Sequence, residues 1–177
     1  YQVERVLQMA VLDQGHLVLK KKEIGMNEII ATVVQNFKLQ VENQNGKLEI
    51  IDESTYDTVN GDKVHLMNVV TNLLDNAIKY SRGAPDITVY MTNTGRHFKF
   101  SVRDNGVGIS KDNQKKVFDR FYRVSTGNVH DVKGFGLGLS YVKLIVDQHG
   151  GSIDLSSELN KGTQFDISIP IHEKELS

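Results

Sequence analysis

Cysteine is absent from the sequence, and its 177 residues include no tryptophan and only two prolines. The lack of cysteine excludes disulfide scaffolds, zinc sites built from thiolates and cysteine nucleophiles. No run of about 18 apolar residues occurs, so no segment is expected to span a membrane. With 39% hydrophobic residues the chain is too apolar for intrinsic disorder, and we predict one soluble domain with a single core.

Charge is almost balanced, with 21 Lys and Arg against 22 Asp and Glu. This balance removes the electrostatic attraction on which most nucleic-acid-binding proteins rely, so we expect no nucleic acid partner. The only Gly-Lys pair, Gly46-Lys47, has Val41 where a phosphate-binding loop requires glycine. A dinucleotide fingerprint and a serine nucleophile elbow are also missing, and no two histidines have the spacing of metal ligands.

Hydrophobic periodicity predicts a two-layer α+β sandwich, with a mixed sheet covered on one face by helices. Apolar residues at helical spacing predict helices over residues 3–14, 29–41 and 62–80 and from Gly138 to the Gly150-Gly151 pair, with Asp62 as an N-cap. Alternating apolar residues predict strands around residues 48–50, 87–91, 98–102, 153–155 and 165–169. Residues 104–138 are rich in glycine and charge and predict a long, partly mobile loop, a feature that is usually functional.

The long central helix carries a polar stripe beside its apolar face. Asn68, Asn72, Asn76 and Lys79 recur at helical spacing, although asparagine is a poor helix former. An amide oxygen is a suitable ligand for Mg²⁺ alongside phosphate, and a lysine one turn further on can meet the phosphates. Taken alone, the stripe is equally compatible with a solvated helix face.

Two glycine-rich segments add further candidates. Asp104 directly follows a predicted strand and precedes Gly106 and Gly108, so its carboxylate could accept a hydrogen bond from the exocyclic amine of adenine. The alternative is an ordinary tight turn. Residues 134–138 open a helix, and backbone N–H groups at such a start form an anion site suited to phosphate.

In this order, the segments resemble the sequence boxes of bacterial sensor histidine kinases. Residues 72–81 resemble the N box, 104–109 the G1 box, 118–123 the F box, 134–139 the G2 box and 162–163 the last glycine turn. The resemblance covers residues 23–172. It implies the Bergerat ATP-binding fold, which gyrase, heat-shock chaperone ATPases and mismatch-repair ATPases share.

The resemblance also implies a domain organisation. Residues 1–22 would be the end of a dimerisation helix and a linker, 23–172 the catalytic domain with an ATP lid at about 110–135, and 173–177 a tail. Because the chain starts without methionine, we interpret it as a fragment of a longer protein. The catalytic portion would be cytoplasmic, in a parent protein anchored in the inner membrane.

Site residues follow from the resemblance, with ATP and Mg²⁺ as cofactors. Asn76 would ligate Mg²⁺, and Lys79 and Arg123 would contact the phosphates. Asp104 would bind the adenine amine, supported by Gly108. The other implied ATP-binding residues are Asn72, Tyr80, Gly106, Ile109, Phe121, Lys133, Gly134, Gly136, Leu137, Gly138, Leu139 and Thr163.

Asn72 distinguishes kinase from hydrolase chemistry. Family members that hydrolyse ATP carry a glutamate there as the general base, and an amide cannot take that proton. We therefore expect transfer of the γ-phosphoryl group to a histidine, with Asn72, Lys79 and Arg123 as catalytic residues. An ATP-gated hydrolase or clamp and a docking module without phosphotransfer are the alternatives.

The expected partners are a phosphoacceptor histidine domain of the same protein, homodimeric at full length, and a response regulator. None of the six histidines here has the acidic, apolar and basic residues that follow the family's phosphoacceptor, so we expect it to lie upstream. Two positions depart from the family pattern. Phe135 is bulky in the G2 box, and Asn160 replaces a turn glycine, where we predict a left-handed conformation.

Overall fold

The computed structural model describes residues 17–122 and 136–172. Helices and strands are interspersed along this part of the chain. In chain order they are β1 (Lys22–Gly25), α1 (Met26–Glu42), β2 (Lys47–Asp52), β3 (Thr58–Gly61), α2 (Lys63–Lys79), β4 (Asp86–Thr94), β5 (His97–Asp104), α3 (Lys111–Gln114), α4 (Gly138–Gln148), β6 (Ser152–Glu158) and β7 (Gly162–Pro170).

Five strands form a mixed sheet in the order β2-β4-β5-β7-β6, in which β2 and β4 are parallel and the other neighbours antiparallel. The strands alternate buried and more exposed residues, as expected when one face of a sheet packs on a core. In β4 the buried side chains are Ile87, Val89 and Met91. This arrangement confirms the predicted α+β class.

Helices α1, α2 and α4 supply the other layer. Each has one apolar stripe, because apolar residues recur every three or four positions. On α2 the stripe comprises Leu66, Val69, Val70, Leu73, Leu74, Ala77 and Ile78, all of them buried. The stripes and the apolar face of the sheet form one continuous core.

The ends of α2 have specific partners. At its start, the Asp62 carboxylate accepts hydrogen bonds from the backbone N–H groups of Val64 and His65. Such a cap replaces two of the backbone bonds that a helix start lacks. The helix ends at Lys79, so the prediction of a helix over residues 62–80 with Asp62 as its cap is confirmed.

Strands β1 and β3, which no pattern in the sequence predicted, pair antiparallel in a small second sheet. Both contain only four residues, too few for an alternating pattern to be recognised. Helix α3, which lies in the predicted loop, was likewise not predicted. The predicted helix over residues 3–14 falls outside the described residues. Among the helices of the described residues, none is long and apolar enough to cross a bilayer.

Candidate functional site

The polar stripe of α2 lies half-buried, between the core and solvent. The Asn72 side-chain nitrogen donates to the backbone oxygen of Asn68 at 2.7 Å, so this amide is directed back along its own helix. By contrast, the Asn76 amide has no hydrogen-bond partner within residues 17–122 and 136–172.

The start of α4 packs against this stripe. A Cβ atom on Gly138 would lie 2.8 Å from the Asn72 side-chain oxygen, so a larger residue at position 138 would displace the Asn72 amide. Before it, Gly136 has φ +70° and its carbonyl accepts a hydrogen bond from the Phe121 N–H at 3.0 Å. The N-terminus of an eleven-residue helix thus lies beside Asn72, and helix starts of this kind favour anions.

Asp104 lies at the end of β5 with its side chain buried. Its Oδ1 accepts hydrogen bonds from the N–H groups of Gly106 at 2.8 Å and Thr163 at 3.1 Å. Within the described residues nothing donates to Oδ2. Burial raises the pKa of Asp104 above its ordinary value, although the two N–H groups oppose this effect. The result is a fixed carboxyl group with one oxygen open to a ligand.

The turn that follows Asp104 is held from two sides. The Val107 N–H donates to the Tyr80 carbonyl at the end of α2, and the Val107 carbonyl accepts from the Asn160 N–H. At Gly108, with φ +69°, a Cβ atom would lie 2.0 Å from the Glu158 carbonyl oxygen. Asn160 has φ +65°, which confirms its predicted left-handed conformation.

Two residues that the sequence analysis missed connect this turn to the sheet. Ser157 on β6 accepts a hydrogen bond from the Ile109 N–H through its Oγ at 2.8 Å. The Gln114 side chain donates to the carbonyls of Ile109 and Ser157, at 2.7 and 2.9 Å. Neither residue belongs to a recognisable motif, and they lie 43 positions apart.

The remaining predicted residues have differing environments. Lys79 and Tyr80 are neighbours at the end of α2, with the lysine Nζ 5.7 Å from the centre of the tyrosine ring. Phe121 is 60% exposed and has φ +62°, an uncommon conformation for a bulky side chain. Leu137 is buried, and both Leu139 and Ile109 are half-buried against the core.

The fold thus brings Asn72 together with Gly138, and Asp104 together with Gly106 and Thr163. Arg123, Lys133 and Gly134, which the sequence analysis also proposed, lie outside the described residues, as does Phe135. No group of three or more His, Asp or Glu side chains in the described part of the chain could hold a metal ion.

The fold is of the α+β class, and the family that the chain matches defines it as an ATPase-type domain. Residues 61–173 match the family of histidine kinase-, DNA gyrase B- and HSP90-like ATPases, and the chain belongs to this family. Its relatives are the sensor histidine kinases of two-component systems. The sensor protein RprX of Bacteroides fragilis (strain YCH46) is 49% identical over 173 residues, which are 97% of this chain and 33% of RprX.

Solved structures agree with this assignment. The catalytic domain of histidine kinase ThkA superposes with a TM-score of 0.75 at 27% identity, over 86% of this chain and 98% of that domain. A second neighbour is ThkA in complex with the response regulator protein TrrA, with a TM-score of 0.78 over 98% of this chain and 48% of that one. Its 22% identity supports the fold alone. The matched part of this chain corresponds to 33% of the length of RprX.

Proposed function

We propose that this chain binds Mg²⁺-ATP and transfers the γ-phosphoryl group to a histidine, as the kinase part of a two-component sensor. The observation that carries the proposal is the environment of Asp104. Its buried carboxylate has one oxygen held by two backbone N–H groups and the other without a donor among the described residues. An oxygen of this kind is an acceptor for the exocyclic amine of adenine.

The glycines beside Asp104 support binding of a planar base. At Gly106 and Gly108 an added Cβ atom would overlap the backbone of Tyr80 and Glu158, so glycine lets the turn pack closely between α2 and the β6–β7 connection. A rigid backbone surface of this kind costs little entropy when a ring packs against it. The adenine ring would therefore lie over this turn, with Thr163 completing the pocket.

The phosphates would lie between α2 and the start of α4. Lys79 supplies positive charge at the end of the polar stripe, and the N–H groups that begin α4 favour an anion. The Asn76 amide would provide a protein ligand to Mg²⁺, which prefers oxygen ligands and is usually bound together with phosphate oxygens. The bound metal would supply charge neutralisation for the transferred group.

Asn72 favours phosphoryl transfer over ATP hydrolysis. An amide cannot act as a general base for water, and the nitrogen of this one is engaged with the Asn68 carbonyl. A neutral imidazole needs no such base to attack phosphorus through its free ring nitrogen. The N–P bond would form as the bond between the γ-phosphorus and the oxygen of the ADP leaving group breaks.

The proposed acceptor is a histidine in a dimerisation domain of the same protein, and the next recipient is a response regulator. The support is the similarity to RprX, a sensor protein about three times as long as this chain, and to the catalytic domain of ThkA, a histidine kinase that forms a complex with the response regulator protein TrrA. Catalysis would then depend on Lys79 and Arg123 at the phosphates. The cytoplasmic location of this portion also remains a proposal.

A calorimetric titration with a non-hydrolysable ATP analogue and Mg²⁺ tests the nucleotide site directly. We expect saturable binding with a dissociation constant in the micromolar to submillimolar range. Absence of binding up to millimolar analogue would contradict the proposal and favour a docking module. If the chain binds, adding radiolabelled ATP and a separately produced dimerisation segment of RprX tests transfer to histidine.

A further inference from the structure

Ser157 and Thr163 form a cross-strand pair at the edge of the sheet. They are direct partners in the β6–β7 ladder, and their hydroxyl oxygens are 2.9 Å apart. The N–H of Thr163 also holds Oδ1 of Asp104, so the pair is one contact away from the proposed adenine-binding carboxylate. Within the described residues Ser157 has no hydrogen bond to Asp104 itself, so it acts on the proposed site through its partners.

The Ser157 hydroxyl makes three hydrogen bonds with a single proton. Its Oγ accepts from the Ile109 N–H at 2.8 Å and lies 2.9 Å from the carbonyl oxygen of Gly162. A carbonyl oxygen can only accept, so the Ser157 proton must point to Gly162. Ser157 can then meet Thr163 only as an acceptor, and the proton between the two hydroxyls belongs to Thr163.

This assignment determines that the Thr163 hydroxyl can only accept a hydrogen bond from a ligand. With its proton committed to Ser157, the Thr163 oxygen offers only lone pairs to a ligand. Asp104 Oδ2, when ionised, also offers only lone pairs. The backbone N–H of Thr163 already contacts the Asp104 carboxylate. Two acceptors at this site would suit a group with two protons, such as the amine at position 6 of adenine, and would disfavour a carbonyl oxygen at that position.

We propose that Ser157 is a specificity-determining positioning residue, which keeps the Thr163 hydroxyl an acceptor and thereby strengthens selection of a 6-amino purine. This inference rests on the proposed function, because it concerns the same base pocket. Ser157 also holds the turn that follows Asp104 through its hydrogen bond with the Ile109 N–H. Loss of that hydrogen bond would alter the affinity for all purine nucleotides equally. The ratio of affinities for two bases separates the two effects.

The test is calorimetric measurement of Mg²⁺-ADP and Mg²⁺-IDP binding, since the two nucleotides differ at position 6 and at the adjoining N1. In Ser157→Ala, Thr163 can rotate its proton toward a carbonyl, so we expect the ratio of the IDP to the ADP dissociation constant to fall about threefold to tenfold. Ser157→Thr keeps the hydroxyl and should retain the ratio of the original chain. Ser156→Ala is the matched control, because Ser156 is the exposed neighbour on the opposite face of the same strand.

A double-mutant cycle distinguishes action through Thr163 from general loosening of the sheet. In a Thr163→Val background, Ser157→Ala should change the ratio no further. If Ser157→Ala does not fold, as judged by circular dichroism, Ser157→Cys provides a side chain of similar size with much weaker hydrogen bonding.

An unchanged ratio in a folded Ser157→Ala variant, with or without an equal loss of affinity for both nucleotides, would overturn the inference. In either case the proposed function survives as long as the original chain binds ADP. Failure of the original chain to bind either nucleotide would instead refute the proposed function itself.

Discussion

At the scale of single residues, Asp104 combines a functional advantage with a cost in stability. Its pKa is raised, so folding favours the protonated form. The corresponding contribution to stability is fully present below the pKa of the unfolded chain and is lost as the pH rises through the folded pKa. At neutral pH the buried charge therefore lowers stability, while it provides the acceptor on which adenine binding is proposed to depend.

Replacing Asp104 by Asn should separate these two roles. The amide oxygen can still accept from Gly106 and Thr163, but the amide nitrogen then faces the adenine amine with protons of its own. We expect ATP analogue binding to weaken by about 1.5 to 3 kcal/mol. Since the buried charge is removed, the free energy of unfolding at pH 7 should be unchanged or higher.

Calorimetric titration and urea unfolding measure the two effects in the same Asp104→Asn preparation. Unchanged affinity would remove Asp104 from the adenine site. Lost affinity together with a large loss of stability would mean that the carboxylate is mainly structural.

Gly108 allows a second comparison at the residue scale, with Gly83 as its control. Both have positive φ, +69° and +72°, so alanine is strained at either position, by about 1 to 2 kcal/mol. Around Gly83 an added Cβ would have open space, whereas at Gly108 it would overlap the Glu158 carbonyl oxygen. Gly108→Ala should therefore cost at least about 2 kcal/mol more, as expected for overpacking, and should also weaken nucleotide binding.

Thermal unfolding and titration of the two alanine variants test this expectation. Equal stability of Gly83→Ala and Gly108→Ala would show that the turn can move away from β6 at little cost, contrary to the close contact described.

At the scale of elements, the start of α2 and the end of α4 are joined through one histidine. The buried His149 accepts a hydrogen bond from the Asp62 N–H at Nε2, 3.0 Å, and its Nδ1 lies 2.7 Å from the Ile145 carbonyl. Since a carbonyl requires a donor, the ring is neutral with its proton on Nδ1. Burial lowers the pKa of His149, and the charge of Lys21 lowers it further.

The Asp62 carboxylate is likewise held by hydrogen bonds from backbone N–H groups. Burial opposes ionisation of its carboxyl group, but N–H groups of Lys20, His65 and Val64 outweigh this and keep the pKa below the ordinary value. Asp62 thereby connects the segment before β1 to the helix that carries the polar stripe. The position of Asn72 and Asn76 accordingly depends on contacts at the far end of their helix.

Acidification should weaken this junction. With the folded pKa of His149 below that of the unfolded chain, its contribution to stability is present above the unfolded value of about 6.5 and is lost as the pH falls below it. Between pH 7 and pH 5 the slope from this group is at most about 1.4 kcal/mol per pH unit. His149→Gln, which cannot titrate, should show a flatter dependence than the original chain.

Urea unfolding at several pH values between 5 and 7.5 measures this difference. His97→Gln is the control, because the His97 side chain has no hydrogen bond within the described residues. Identical pH slopes for His149→Gln and the original chain would mean that His149 does not couple protonation to folding.

At the scale of the whole molecule, the candidate site lies where the two layers meet. One side is the polar stripe of α2, and the other is the end of β5 with the β6–β7 turn. The Tyr80 carbonyl connects them through Val107. No single element carries the site, so its geometry depends on the packing of the helical layer on the sheet.

The sequence by itself determined the features that depend on near neighbours. The period of apolar residues and the Asp62 cap predicted α2, and alternation predicted the β4–β5 hairpin, because side-chain spacing and capping act over a few positions. The order of the glycine-rich segments was sufficient to indicate the family. Asn160 could be predicted as left-handed because that preference is a property of the residue.

Tertiary structure alone decided the strand order and the pairing of β1 with β3. It also decided which oxygen of Asp104 accepts the two backbone hydrogen bonds. In addition, it brought Ser157 and Gln114 into contact with the turn that follows Asp104. The hydrogen bond between Ser157 and Ile109 joins residues that are 48 positions apart in the sequence, and the one between Thr163 and Asp104 joins residues that are 59 positions apart. Such contacts form only when the layers close on each other, so no local pattern in the sequence records them.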